Sequence, residues 1–211
     1  MSRVVHHPLF ARVFDRMAAK TDGRGAAEHR ERLLAGLIGR VVEVGAGNGL
    51  NFCRYPDTVT EVLAVEPEDY LRARALQAAE VAPIRITVVD GLADLLPTED
   101  ASHDAVVASL VLCSVPDQGR ALAEARRVLR PGGELRFYEH VISKEAGVAR
   151  MQNAAAWFWP WVGGGCHPNR DTVGAIQRAG FEIKDCERFD FRPSVLMAPV
   201  APHVIGAARR A

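Results

Sequence analysis

The sequence predicts an α/β fold in which a mostly parallel sheet is covered by helices on both faces. Three observations point there. Residues 41–49, Val-Val-Glu-Val-Gly-Ala-Gly-Asn-Gly, run from a β-branched strand straight into a turn with glycines at 45, 47 and 49. From residue 41 onward, β-rich apolar runs alternate with helical stretches, the pattern of strands buried on both faces. Near the C-terminus two strand-like runs follow one another with no helix between them, which makes an antiparallel pair closing the sheet edge.

The elements follow in order. Leu9, Phe10, Val13, Phe14 and Met17 make one apolar stripe at helical spacing over 8–19, with Pro8 near the helix start. Such a helix either packs on the core or forms a lid over a pocket. Asp22-Gly23-Arg24-Gly25 breaks the chain before a second helix carrying Leu33, Leu34, Leu37 and Ile38. Strands are expected at 41–45, 61–66, 84–89, 104–109 and 133–139. Helices intervene at about 69–81 and 117–129, the latter with Asp117 as N-cap and Pro131-Gly132-Gly133 as its stop. Residues 144–169 hold Trp157, Trp159, Trp161, a run of three glycines, Cys166 and His167, and read as an insertion rather than another βα unit. Asp171 caps a helix through Ile176 that stops at Gly180. Phe181 and Ile183 alternate with Glu182 and Lys184 as a strand, and 203–209 is the last one, with His203 on an edge strand.

Composition narrows the function classes. The chain has 211 residues, enough for one domain with a full core. Its 26 Lys and Arg balance 26 Asp and Glu, so the electrostatic footprint of a nucleic-acid binder is missing. Cys53, Cys113, Cys166 and Cys186 show no paired spacing, so no metal site and no disulfide framework is expected. Neither a signal peptide nor a long apolar run is evident, so a cytoplasmic protein without stable membrane insertion is expected. Oligomeric state has no readable signature.

The motif Glu43-x-Gly45-x-Gly47-x-Gly49 differs from a dinucleotide fingerprint, because Leu50 stands where that pattern needs its last glycine. It resembles the first motif of the class I S-adenosylmethionine-dependent methyltransferases. Arg-Val-Leu-Arg-Pro-Gly-Gly-Glu-Leu at 127–135 is similar to that family's turn into the fifth strand. The resemblance implies a Rossmann-like three-layer sandwich with seven strands, the last inserted antiparallel. It also implies S-adenosyl-L-methionine as cofactor and S-adenosyl-L-homocysteine as product. One domain, 1–211, would then divide into N-terminal helices or lid (1–40), cofactor-binding core (41–143), substrate-pocket insertion (144–170), and C-terminal helix and β-hairpin (171–211).

Site residues follow from both lines. Glu66 ends the second strand, where a carboxylate can accept both ribose hydroxyls; Pro67 stiffens the turn beside it. The turn Gly45-Ala46-Gly47, with Gly49, lets backbone approach the amino-acid arm of the cofactor, whose ammonium Glu43 would help compensate. Gly91, Leu92 and Ala93 lie where the family holds adenine. Leu92 replaces the Asp often found there, so backbone groups around Leu92 and Ala93 are expected to make that contact, with Asp90 or Asp94 as the alternative partners. Ser109 and Leu110 close the fourth strand beside the methionine portion.

Three further stretches, Ser-Leu-Val-Leu-Cys-Ser-Val (109–115), Glu-His-Val (139–141) and Gly-Cys-His-Pro-Asn-Arg-Asp-Thr (165–172), resemble the group containing the microsomal alkyl-thiol S-methyltransferases and their bacterial relatives. The resemblance implies methyl transfer to a small, fairly apolar thiol. O- or N-methylation of a small metabolite or phospholipid head group, and a silent S-adenosylmethionine-binding module, are the rival readings. A thiol is partly ionised near neutral pH, and alignment alone supplies roughly 7–11 kcal/mol in well-oriented systems. His140, just past the fifth strand, is the candidate proton acceptor or thiolate orienter, ahead of His167 in the insertion. Cys113 reads as a small apolar core residue, and Cys166 as more exposed. The three tryptophans either cover an apolar substrate or anchor the insertion.

Overall fold

The computed structural model describes residues 8–211, without the side chains of residues 8–10 and 19. Two helices come first, α1 (Pro8–Thr21) and α2 (Ala27–Leu34), separated by a kink at Arg24 and Gly25. The βα alternation follows: β1 (Gly39–Val44), β2 (Val59–Val65), α3 (Asp69–Glu80), β3 (Ile86–Val89), β4 (His103–Ser109), α4 (Gln118–Val128) and β5 (Leu129–His140). Then come α5 (Ala146–Ala155), α6 (Trp159–Val162), α7 (Thr172–Arg178), β6 (Phe181–Asp190) and β7 (Pro202–Arg210). The seven strands are ordered β3-β2-β1-β4-β5-β7-β6, with β7 antiparallel to both neighbours. This is the Rossmann-like sandwich that the motifs imply.

Strand alternation divides the core. Val42 and Val44 point to one face, where they join Leu122, Val128, Phe137 and Ile176. Val41 points to the other, with Leu33, Leu34, Phe52 and Tyr138. Each fully buried Leu or Phe contributes about 1.5–3 kcal/mol, so both layers are needed. Asp117 caps α4 by accepting from the Arg120 N–H, and Asp171 caps α7 by accepting from the Gly174 N–H. Caps of this kind are worth about 1 kcal/mol.

Several boundaries depart from the sequence reading. Helix α4 ends at Val128, before Pro131, and β5 has already begun at Leu129. Pro131-Gly132-Gly133 instead sits at a register irregularity of the β4–β5 pairing, where the N–H that proline lacks is not needed. The insertion carries the helices α5 and α6. His203 is on β7, which lies between β5 and β6 and so is not an edge strand. In α1, Val13 and Met17 are exposed, while Ala11 and Ala18 are buried. Val13 and Met17 thus leave the predicted stripe, Phe14 of that stripe is half-buried against the turn after β1, and the Leu9 and Phe10 side chains lie outside the described residues.

Candidate active site

Parallel α/β sheets open their clefts at the carboxyl ends of the strands, where the order reverses. Here β1 lies at that point, between β2 and β4. The turn after β1 has left-handed backbone at Gly45 (φ +63°) and Gly47 (φ +58°). At Gly45 a Cβ would also stand 2.4 Å from Val111 Cγ2, so glycine lets the loop after β4 close against the turn. At Gly47 the space is open towards Phe14 of α1, 3.6 Å from a Cβ there. Gly49 serves packing, held against Ala78 and Phe52.

A cleft of about 30 Å³ is lined by Glu43, Gly45, Ala46, Gly47, Asn48, Asn51, Ser109 and Leu110, with Phe14 and Arg30 closing it. That is room for about two waters. Helix α1 is fastened across it: Asp15 accepts from Asn48 (2.8 Å) and from the Tyr70 hydroxyl (3.1 Å).

Glu43 is buried, and each of its oxygens has a donor: Asn51 Nδ2 at 2.7 Å and the Tyr55 hydroxyl at 2.8 Å. Burial pushes its carboxyl up to about 7, against these hydrogen bonds and the nearby Arg30 charge. Arg30, buried on α2, reaches Asn51 Oδ1 (3.1 Å), Ser109 Oγ (3.3 Å) and Asp22 (3.0 Å). It ties the kink between α1 and α2 to the ends of β1 and β4. Glu66 is buried just beyond β2 and accepts from the Gly47 N–H (2.7 Å) and the Glu68 N–H (2.9 Å). Burial raises its carboxyl, opposed by these two donors. Arg72 Nη1 braces the same loop on the Glu66 and Pro67 carbonyls.

The structure therefore gathers Glu43, Gly45, Ala46, Gly47, Ser109 and Leu110 around one cleft, with Glu66 joined through Gly47. Pro67, Gly91, Leu92 and Ala93 lie outside its lining. Asp90 and Asp94 face Arg72 (3.3 Å) and Arg120 (3.9 Å). Leu110, like the glycines, has a left-handed backbone (φ +59°), which turns the chain sharply out of β4. Sequence reasoning missed Arg30, Asn51, Tyr55 and Arg72, since none stands in a recognisable motif. Asn48 is inside the glycine motif, where it could have been noticed.

The three stretches at 109–115, 139–141 and 165–172 meet at the β4–β5 edge. Glu139 accepts from the backbone N–H groups of Val111 (3.0 Å), Leu112 (2.8 Å) and Cys113 (3.0 Å), fixing the loop after β4. The His167 N–H donates to the Cys113 carbonyl (2.8 Å), and Arg170 Nη1 to the carbonyls of Leu112 and Val115. Burial and Arg170 lower the His167 imidazole. His140 Nδ1 lies 3.5 Å from Cys113 Sγ and 3.4 Å from Cys166 Sγ. Cys166 is buried rather than exposed. Trp159 packs on the two cysteines and Val200, whereas Trp157 and Trp161 are 80% and 87% exposed. Those two neither cover a pocket nor anchor the segment in the core.

Comparison with known proteins converges on the same reading. A methyltransferase-domain model matches residues 42–137. The human thiol S-methyltransferase TMT1B is 36% identical over 83% of this chain and 73% of its own length. The chain belongs to the thiol S-methyltransferase family of S-adenosylmethionine-dependent methyltransferases. Human thiol S-methyltransferase TMT1A is 33% identical, covering 82% of this chain and 72% of that protein. A methyltransferase of Bacillus halodurans matches in fold, with a TM-score of 0.70 at 15% identity, over 86% of this chain and 96% of that one. The cofactor of this methyltransferase is S-adenosylmethionine, and the residues present fit it: the buried Glu66 carboxylate beside the cleft keeps acceptor sites free for hydroxyl groups, and the glycine turn leaves its backbone open to close approach. No described helix is long and apolar enough to cross a membrane.

Proposed function

We propose that this methyltransferase moves the sulfonium methyl of its cofactor to the sulfur of a small, fairly apolar thiol in the cytoplasm. The observation that carries the reading is the meeting of 109–115, 139–141 and 165–172 at the carboxyl side of β4 and β5, the stretches whose sequence resembles the thiol methyltransferases. Glu66 binds the ribose hydroxyls with the lone pairs that Gly47 and Glu68 leave free. Gly45, Ala46 and Gly47 seat the amino-acid arm in a turn that Gly49 packs from behind, Arg30 faces its carboxylate, and Glu43 holds Asn51 and Tyr55 in the wall. Pro67, Gly91, Leu92 and Ala93 border the adenine, while Ser109 and Leu110 adjoin the methyl-bearing sulfur. His140 orients the acceptor sulfur through Nε2, since its Nδ1 faces the two cysteines. His167 walls the acceptor side. Helix α1 is a lid: a cleft of about 30 Å³ must open at Phe14 before a cofactor enters.

Residues 1–40 thus act with the 41–143 core, 144–170 shapes the acceptor pocket and 171–211 completes the sheet. The acceptor is a small molecule; nucleic acid is not a substrate on charge grounds. The test is turnover of matched thiols, phenols, amines and phospholipids with labelled cofactor. Preferential labelling of thiols supports the reading; a phenol or amine turned over at least as well replaces it with O- or N-methylation. Cofactor binding with no turnover of any acceptor would favour a sensing module.

A further inference from the structure

Cys113, His140 and Cys166 come from three separate segments: the loop after β4, the end of β5, and the stretch after α6. Their Sγ, Nδ1 and Sγ atoms all lie within 4.8 Å of one another. Both sulfurs are buried, at 0% and 5% exposure, under Val200, Trp159 and Met197. A neutral imidazole nitrogen offers a single lone pair, so Nδ1 can accept only one S–H, and the other thiol must turn to its neighbour, as Cys113 Sγ can to Ser114 Oγ at 3.5 Å; a metal ion would engage all three donor atoms at once.

A tetrahedral cation needs such a convergence. With metal–sulfur bonds near 2.3 Å and metal–nitrogen bonds near 2.0–2.1 Å, sulfur and nitrogen donors should stand about 3.6 Å apart. The two separations here are 3.5 Å and 3.4 Å. Two sulfurs and an imidazole are a soft donor set, suited to zinc rather than to magnesium or calcium.

We propose that Cys113, His140 and Cys166 bind a divalent zinc ion through three protein donors, leaving a fourth position for an exogenous ligand. Three protein ligands with one open position are the pattern of reactive rather than purely structural zinc centres. On binding, both thiols lose their protons to solvent, and two thiolates neutralise the dication. The buried centre therefore carries no net charge, which limits the cost of desolvation. Glu139 holds the Cys113 backbone, and the His167 N–H holds its carbonyl, so an outer layer fixing one donor is already built. The fourth ligand is a soft sulfur, the acceptor, bound as thiolate with its proton passed to solvent. That last step alone rests on the thiol reading above. With zinc on Nδ1, the imidazole keeps its remaining proton on Nε2, which points away from the metal, so the ion rather than Nε2 would hold the acceptor sulfur.

The test uses the full chain stripped with a chelator, then titrated with Zn²⁺ against a chromophoric competitor and with Co²⁺ in its place. One equivalent of Zn²⁺, two protons released, and thiolate-to-cobalt charge-transfer absorption are expected. Cys113→Ser and Cys166→Ser should each weaken binding by more than the roughly 10–100-fold typical of losing an outer-shell partner. Cys53→Ser, at an exposed thiol, should leave it unchanged. The cobalt spectrum of the wild-type protein needs no variant, so misfolding cannot obscure the answer. A wild-type protein that takes up no stoichiometric Zn²⁺ and gives no thiolate band overturns the site. Zinc bound at these residues with phenols turned over in place of thiols keeps the site and overturns the thiol reading. Undiminished thiol turnover by protein shown to hold no zinc overturns the zinc's part in activating the acceptor.

Discussion

Replacing Glu66 by alanine is the most direct probe of the cofactor cleft. An ionised carboxylate has about four lone-pair sites. Two are taken by the Gly47 and Glu68 N–H groups, leaving two for the ribose diol. Hydrogen bonds to a charged group are worth about 1.5–3 kcal/mol each. Losing one at the low end weakens binding about 13-fold, and losing both about 160-fold, at 1.36 kcal/mol per factor of ten. Calorimetry with S-adenosylhomocysteine reads this directly. Alanine also strands the Gly47 and Glu68 N–H groups, at about 1–3 kcal/mol each where water cannot replace the bond. A thermal melt must therefore accompany the titration, and Glu66→Gln, which keeps one acceptor oxygen, should fall between wild type and alanine. Because burial raises this carboxyl, cofactor affinity in the wild type should start to fall, on acidification, above the ordinary carboxylate range. A folded alanine variant with affinity within twofold of wild type would refute the assignment of Glu66 to the ribose.

Three other outcomes are expected. The folded-state carboxyl of Glu43 stands at about 7, against 4.5 as its ordinary value. The folded protein thus binds the proton more tightly, and stability falls as pH rises from about 4.5 to 7, by roughly 3 kcal/mol; urea midpoints of Glu43→Gln should lose that slope, and an unchanged slope would count against it. Gly45→Ala puts a methyl 2.4 Å from Val111 Cγ2 on a left-handed backbone, which by itself costs about 1–2 kcal/mol; denaturation should show at least that loss, along with weakened cofactor binding. Phe14→Ala should quicken cofactor association several-fold in stopped-flow fluorescence, and an unchanged association rate would remove α1 from the entry path.

Sheet and motif turn were legible because both depend on local pattern. The β-branched run 41–44 and the glycines after it dictate a strand and a tight turn whatever else the chain does, and the observed β1 and its left-handed glycines agree. The stop of α4 was misplaced because strand pairing with β4 captured Leu129 before proline could end the helix. The inward places of Ala11 and Ala18 on α1 are not legible because small alanines carry little hydrophobic signal, while Val13 and Met17 of the apolar stripe face outward. Arg30, Asn51 and Tyr55 were invisible for another reason: their roles arise from a buried network among distant segments, which leaves no periodicity. The convergence of Cys113, His140 and Cys166 is likewise set by two loops meeting the end of β5 at the carboxyl side of the sheet. Their spacing along the chain carries no trace of it.

The placement of β7 between β5 and β6 has a kinetic consequence. Among the described residues, strand β6 pairs through β7 alone, whose other side pairs with β5 in a register that sets His140 opposite His203. The parallel strands β1 to β4 can assemble with their helices while this distant pairing is still open, because closing a long loop is entropically slower than local docking. In that interval β5 presents a bare edge, ready to accept any other strand. Substitutions that weaken β7 should therefore reduce refolding yield at high protein concentration well before they alter the affinity of molecules that do reach the native state.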